Sequence, residues 1–265
     1  MSATTADPVR VTCDAGLVTI TLSRPDAANA LNTALKHALL AAIRETATDR
    51  AARAVLLRAE GRHFCVGQDL AEHADALSQS PEIAMGTIAE HYNPLITALA
   101  GLEIPVVAAI NGACVGAGFG LALAADIRIA AADASFATAF TGIGLASDSG
   151  LSYSLVRGLG ESRATGLLML GDKVTAEQAE MWGLVHRRVP AAQLAETARV
   201  VATRLANGPT AAYAAVKDLV RNGAADLPDA LEREREIQER LGATDDHRAA
   251  VSAFLAKTTP EFKGR

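Results

Sequence analysis

The groups best placed to do chemistry in this chain belong to the backbone. From Ile104 to Ala125 it reads IPVVAAINGACVGAGFGLALAA, 22 residues with Asn111 as the one polar side chain. The β-branched run before Asn111 suits a fully buried strand, Asn111-Gly112 is a turn signal, and Gly116, Gly118 and Gly120 follow closely. A buried helix is expected to begin near Gly118. The first N–H groups of a helix have no acceptor within it, so its start is a ready site for negative charge. Glycine lets such a backbone come very close to what it binds. Close packing of helix on strand would use the same small residues, and both readings stand at this level.

Spacing argues against several other chemistries. A dinucleotide GxGxxG beginning at Gly116 needs glycine where Leu121 stands, and one beginning at Gly118 needs it where Leu123 stands. No GK[ST] is present for a phosphate loop. His37, His63, His73, His91, His186 and His247 show no metal-ligand spacing, so no metal is expected. Cys13, Cys65 and Cys114 form no CxxC and suit a reducing compartment without a disulfide framework. Ser147 and Ser149 lie outside any GxSxG. Asp148, between them, reads from its surroundings as a turn residue or the N-cap of a following helix. A membrane span has a case, since 22 helical residues would reach ~33 Å. Pro105, Asn111-Gly112 and the later glycines weigh against it, as does the lack of a flanking basic cluster.

Behind these residues stands a chain of 265, half of it hydrophobic and 21% charged, enough for one large domain or a core with an appendage. The net charge of −5, with no run of lysine or arginine, argues against a nucleic-acid partner. MSATTADPVR lacks the apolar core of a signal peptide, so a cytoplasmic protein with no membrane partner is expected.

The elements that must position the glycine loop alternate in type. Val9–Thr12 and Leu17–Leu22 read as a hairpin about Asp14-Ala15-Gly16. Asn32 or Thr33 caps a helix running to Thr46, and Ala54–Ala59 is the next strand. Gly67-Gln68-Asp69-Leu70 turns the chain, a mobile loop is expected around Gln79-Ser80-Pro81, and Ile83–Ala100 reads helical. DIRIA and Ser135-Phe136 are strands, Ser152–Val156, Arg163–Leu170 and Ala176–Trp182 are helices, and LVHRRV is a strand. Only helices are read beyond residue 191, with Glu232–Arg240 as a solvated face. Strands linked by helices through glycine turns make an α/β fold.

In this order, RPDAANALN (Arg24–Asn32), FCVGQDL (Phe64–Leu70), Pro105–Ala130, FATAFTGIGLASDSG (Phe136–Gly150) and Leu170–Val189 resemble the crotonase, or enoyl-CoA hydratase/isomerase, superfamily. The GQDL form, His91–Leu95 and the ending AVSAFLAKTTPEFKGR are most similar to the branch holding the ring-epoxide isomerase of phenylacetyl-CoA degradation. The resemblance implies a spiral of repeated ββα units over residues 1–190 and a helical oligomerisation region over 191–265, assembled as a trimer or hexamer. It implies an acyl-CoA thioester as substrate, with no separate cofactor, and chemistry through a thioester enolate. Two backbone N–H groups hold that oxygen, and the matching residues are Gln68 and Ala117. Loss of one such donor typically lowers rate ~10²–10³-fold. By the same resemblance Arg24, Ala28, Asp69 and Leu70 line the CoA portion, and Gly116, Phe140 and Leu145 the acyl site.

One departure matters. Hydratases of this family use two glutamates to activate water, and Gly120 and Phe140 occupy their positions. Asp148 matches the aspartate that family isomerases use as a base, and an apolar lining of Phe140, Ile143 and Leu145 would raise its pKa. The related dehalogenase chemistry also needs a Trp and a His, where Phe140 and Asn93 stand here. His91 and Tyr92 fall where family members line the acyl pocket, His91 reading equally well as a surface residue; Glu72 and His73 are expected to face solvent. The implied activity is therefore an acyl-CoA isomerase with Asp148 as the single base. A hydratase in which Asp148 works alone with a water is the alternative, and a catalytically weak acyl-CoA-binding trimer a third.

Overall fold

The computed structural model describes residues 7–264. Met1–Ala6 of the N-terminal stretch considered above lie outside them. The chain opens as a hairpin of β1 (Val9–Asp14) and β2 (Leu17–Leu22). Ala15 and Gly16 between them both have positive φ, 46° and 81°, as a two-residue hairpin turn requires. Parallel pairing then extends the sheet through β3 (Ala54–Ala59), β4 (Val106–Ile110), β6 (Ile127–Ala131) and β9 (Arg187–Val189). β3 and β4 are buried almost throughout, because helices cover this parallel sheet.

A second layer runs beneath the first. Here β5 (Ala113–Val115) pairs with β7 (Ser135–Ala137), and β7 with β8 (Val174–Thr175). Single bridges between Cys65 and Cys114 and between Leu31 and Gln68 continue it toward the N-terminus. Successive turns of the chain thus give a strand to the large sheet, a strand or bridge to the second layer, and then a helix. This is the spiral of ββα units, and β5 and β8 are the strands the sequence did not reveal.

Local chemistry explains where the helices start. Asn32 caps α1 (Thr33–Thr48), accepting from Leu35 N. Leu35, Leu39, Ala42 and Ile43 form its buried stripe. Where a loop was expected at residues 79–81, two helices meet instead: α2 (Leu70–Gln79) and α3 (Pro81–Thr87). The reason is capping. The Asp69 carboxylate accepts from Ala71 N and Glu72 N, the Ser80 hydroxyl accepts from Ile83 N, and Pro81 takes the first helical position. A π-helical turn, Ile88–Tyr92, leads into α4 (Asn93–Ala100).

The apolar 22-residue stretch is broken as its glycines suggest: β4, a turn at Gly112, β5, a turn at Gly116, then α5 (Ala117–Ala124). A Cβ on Gly112 would lie 2.1 Å from Arg62 O, so glycine is required there. Among the described residues no helix is long and apolar enough to cross a membrane. α6 (Leu151–Leu159), α7 (Glu161–Leu170) and α8 (Ala176–Met181) follow. α9 (Leu194–Ala206) then packs on β3, β4 and β6, and α10 (Thr210–Asn222), α11 (Leu227–Gly242) and α12 (Asp245–Ala256) complete the helical C-terminal part.

Candidate active site

The second layer brings Gln68 and Ala117 together. Leu31 N donates to Gly67 O at 2.8 Å, and Asp69 N donates to Leu31 O at 3.4 Å. The Gly67–Gln68 peptide is trans, so its N–H points opposite to the carbonyl that Leu31 holds and faces away from Leu31. The turn into α5 packs against Gly67. A Cβ on Gly67 would stand 3.0 Å from Val115 O and 3.4 Å from Ala117 N. Gly67 and Gly116 both have positive φ, 89° and 55°, which allows the two backbones this close approach. Ala117 is the first residue of α5, so its N–H has no acceptor within the helix. The backbone at Gly67-Gln68 and the start of α5, from distant parts of the chain, thus come together, an arrangement suited to a developing oxyanion.

The turn that carries Asp148 packs closely against α5. A Cβ on Gly120 would lie 2.5 Å from Ser149 O and 2.6 Å from Ser149 Cβ. Ser149, buried, has φ of 52°, and Gly150 of 70°, a tight left-handed turn whose non-glycine member carries backbone strain. The Asp148 side chain does not cap α6. Gly150 occupies the cap position with no side-chain bond, and the donor to the Asp148 carboxylate is its neighbour Ser149 Oγ at 2.7 Å. Burial raises the Asp148 pKa above the ordinary aspartate value, and the Ser149 hydroxyl only partly offsets this. Tyr92 feels the Asp148 charge, which, after burial, is the largest influence raising its phenol pKa.

Of the expected acyl-site residues, Phe140 is buried with Cζ 3.9 Å from where a Gly116 Cβ would be. Leu145 is half-buried against the core, whereas Ile143 is 57% exposed on a short 3-10 turn. Arg24, Ala28, Asp69 and Leu70 gather elsewhere, at the mouth of the 24–32 loop. Arg24 Nη1 and Nη2 each lie 3.1 Å from Asp69 Oδ2, Ala28 adopts φ of 50°, and Leu70 is exposed. Burial would lift the Asp69 carboxyl, but the Glu72 N–H, Arg24 and the Ala71 N–H outweigh it and hold the pKa low.

Glu72 does not simply face solvent. Its carboxylate accepts from Thr33 N and Thr33 Oγ1 and lies 3.4 Å from Lys36 Nζ. The ring of His91 is engaged by Thr87 Oγ1 and His37 Nε2, both at 3.1 Å. Lys36 and the Gln68 side chain were missed in the sequence. The available signal was that Lys36 shares a helical face with Leu39 and Ile43. Among the described residues no three His, Cys, Asp or Glu side chains converge as a metal site.

A cavity of about 800 Å3 lies between α4, α5, α6 and α10, lined by Gly120, Gly150, Ile96, Leu123, Tyr153 and Val216.

Comparison with known proteins agrees with this architecture. The model of the enoyl-CoA hydratase/isomerase family matches residues 12–265. A Rhodobacter capsulatus protein named as a probable enoyl-CoA hydratase is 42% identical over 97% of this chain and 98% of its own. The 1,2-epoxyphenylacetyl-CoA isomerase of Escherichia coli is 39% identical over 94% of this chain and 96% of its own. A crystal structure from Mycobacterium abscessus, provisionally described as an enoyl-CoA hydratase/isomerase, superposes with a TM-score of 0.95 at 56% identity, covering 97% of this chain and all of that one. With a matching family model, relatives along its whole length and the spiral fold, this chain belongs to the enoyl-CoA hydratase/isomerase family, the crotonase superfamily.

Proposed function

We propose that the protein is an acyl-CoA isomerase working through a thioester enolate, with Asp148 as its single base. The Gln68 and Ala117 N–H groups hold the thioester oxygen. Asp148 removes a proton from C2 of a 3-enoyl-CoA, and the electron pair of that C–H bond delocalises onto the oxygen. Returning the same proton to C4 draws the pair back and leaves the double bond between C2 and C3. A ring-type CoA ester would isomerise through its own thioester enolate, held by the same two donors. One carboxylate suffices because the proton is only moved, and its raised pKa suits a group that must both take and return it.

The observation that carries this reading is the state of the two positions where hydratases hold water-activating glutamates. Position 120 is glycine with the Ser149 backbone pressed against it, and position 140 is a phenylalanine whose ring lies against Gly116. We further infer that Arg24, Ala28, Asp69 and Leu70 hold the CoA portion and that Gly116, Phe140 and Leu145 line the acyl site. The substrate brings its own CoA, so no further cofactor enters the scheme. A cytoplasmic homotrimer or hexamer, assembled through residues 191–265, completes it. The E. coli relative's name supports an isomerase, while the R. capsulatus relative's name supports a hydratase using Asp148 and a water.

Product analysis separates the two. Given trans-3-hexenoyl-CoA, the purified protein is expected to form the 2-enoyl thioester. Given trans-2-hexenoyl-CoA, it is expected to form little 3-hydroxyacyl product. Rapid hydration of the second substrate would overturn the isomerase in favour of the hydratase, and binding without turnover of either would favour an acyl-CoA binder.

A further inference from the structure

Lys36 is 2% exposed, a rare place for an ammonium group. From α1 its Nζ reaches Thr87 Oγ1 at 2.7 Å, and Glu72 Oε1 and Gln68 Oε1 at 3.4 Å each. It also lies 5.3 Å from the centre of the Tyr92 ring. The Tyr92 hydroxyl donates to the same Gln68 Oε1. Two donors from different elements therefore converge on one side-chain carbonyl. The residue so gripped is the one read above as an enolate donor beside Ala117.

The clamp completes a frame around that peptide. On one side Leu31 fixes Gly67 O and Asp69 N through the bridge. On the other, Lys36 and Tyr92 fix the Gln68 amide. Glu72 faces the Lys36 ammonium and balances its charge, so the leverage of Lys36 on the site is geometric rather than a free positive field. An apolar side chain of similar length could fill the space without desolvating a charge. What the ammonium adds is the hold on Gln68.

We propose that Lys36 is a positioning residue of the oxyanion site, acting through the Gln68 side-chain carbonyl to aim the Gln68 N–H beside that of Ala117. This rests on the reading of residues 68 and 117 as enolate donors. The effect belongs in kcat rather than in ground-state affinity, because the enolate oxygen draws more from a well-aimed donor than the neutral thioester does.

A chromophoric thioester, 4-(dimethylamino)cinnamoyl-CoA, provides the test, since its absorption moves to the red as its carbonyl is polarised and needs no turnover. The wild type is expected to bind it with a red shift. Binding without a shift would overturn the donor reading itself, and the proposal with it, before any variant is compared. Given the shift, Lys36→Met is expected to bind within about threefold of wild type yet lose more than half of the shift. Its kcat should fall about ten- to a hundredfold, with KM changed less than about threefold. Gln68→Met, which keeps the main-chain N–H, should lose as much, and the double variant no more than either single one. A full shift and full kcat in Lys36→Met would overturn the proposal, as would losses that simply add. Should Lys36→Met fail to fold by circular dichroism, Gln68→Met decides alone: a wild-type shift in it would overturn the path through Gln68.

Discussion

In the proposed scheme Asp148 is the base, in a place that disfavours its charged form, and both consequences can be measured. Replacing it with Asn should lower turnover about 10²–10⁴-fold while CoA-ester affinity, measured by calorimetry, stays near wild type. Because burial raises its pKa, the acid limb of kcat/KM should fall at a pH above the ordinary aspartate value. A limb at the ordinary value would contradict the desolvated site. The same shift has a sign in stability. Between the unfolded and the raised folded pKa the native state holds more protons than the unfolded state, so stability declines as pH rises through that window. Asp148→Asn should therefore melt higher than wild type at neutral pH, and the difference should vanish well below the ordinary aspartate pKa. Neither the proposed role nor the shift was legible from Ser147-Asp148-Ser149 alone, where a cap was the natural reading. The family register pointed to the base, and the structure removes the cap, since α6 begins at Gly150 without a side-chain bond.

At the scale of elements, the site is made by turns that bring backbone against backbone. The sequence announced those turns through its glycines: Gly112 and Gly116 cut the apolar stretch at the ends of β4 and β5. It did not announce what presses against them, because Ser149 meets Gly120 only through tertiary packing. Lys36 was illegible for a like reason: its partners Gln68, Glu72 and Thr87 are 32, 36 and 51 residues away. Gly120→Ala tests the contact between α5 and the 148–150 turn. The added methyl must displace the Ser149 backbone, and overpacking of this kind costs about 1–3 kcal/mol. A lower denaturation midpoint is expected, together with a fall in kcat larger than any rise in KM, because the displaced turn carries Asp148. An unchanged kcat would mean that the turn does not set the base.

At the scale of the whole molecule, the question is how the C-terminal helices belong to the core. α10 is pinned by Asp126, whose carboxylate takes Lys217 Nζ and Arg221 Nη2 at 2.7 Å each and Val106 N at 2.8 Å. Asp126→Ala would leave two half-sheltered cations without their carboxylate, at a cost of about 2–3 kcal/mol, and should expose α10 to early cleavage in limited proteolysis. α9 is tied differently. Leu194, Ala198, Ala202 and Ala206 are all buried, against the face formed by β3, β4 and β6. That face is also the scaffold from which β5 and α5 deliver Ala117. A fragment of residues 1–190 would leave this apolar face open to water. It is therefore expected to show no cooperative urea transition by circular dichroism. A fragment of residues 1–208 keeps α9 and the Gly208 carbonyl that Arg53 binds, and it should recover such a transition. Cooperative unfolding of the shorter fragment would instead make residue 190 a true boundary and α9 part of the appended region.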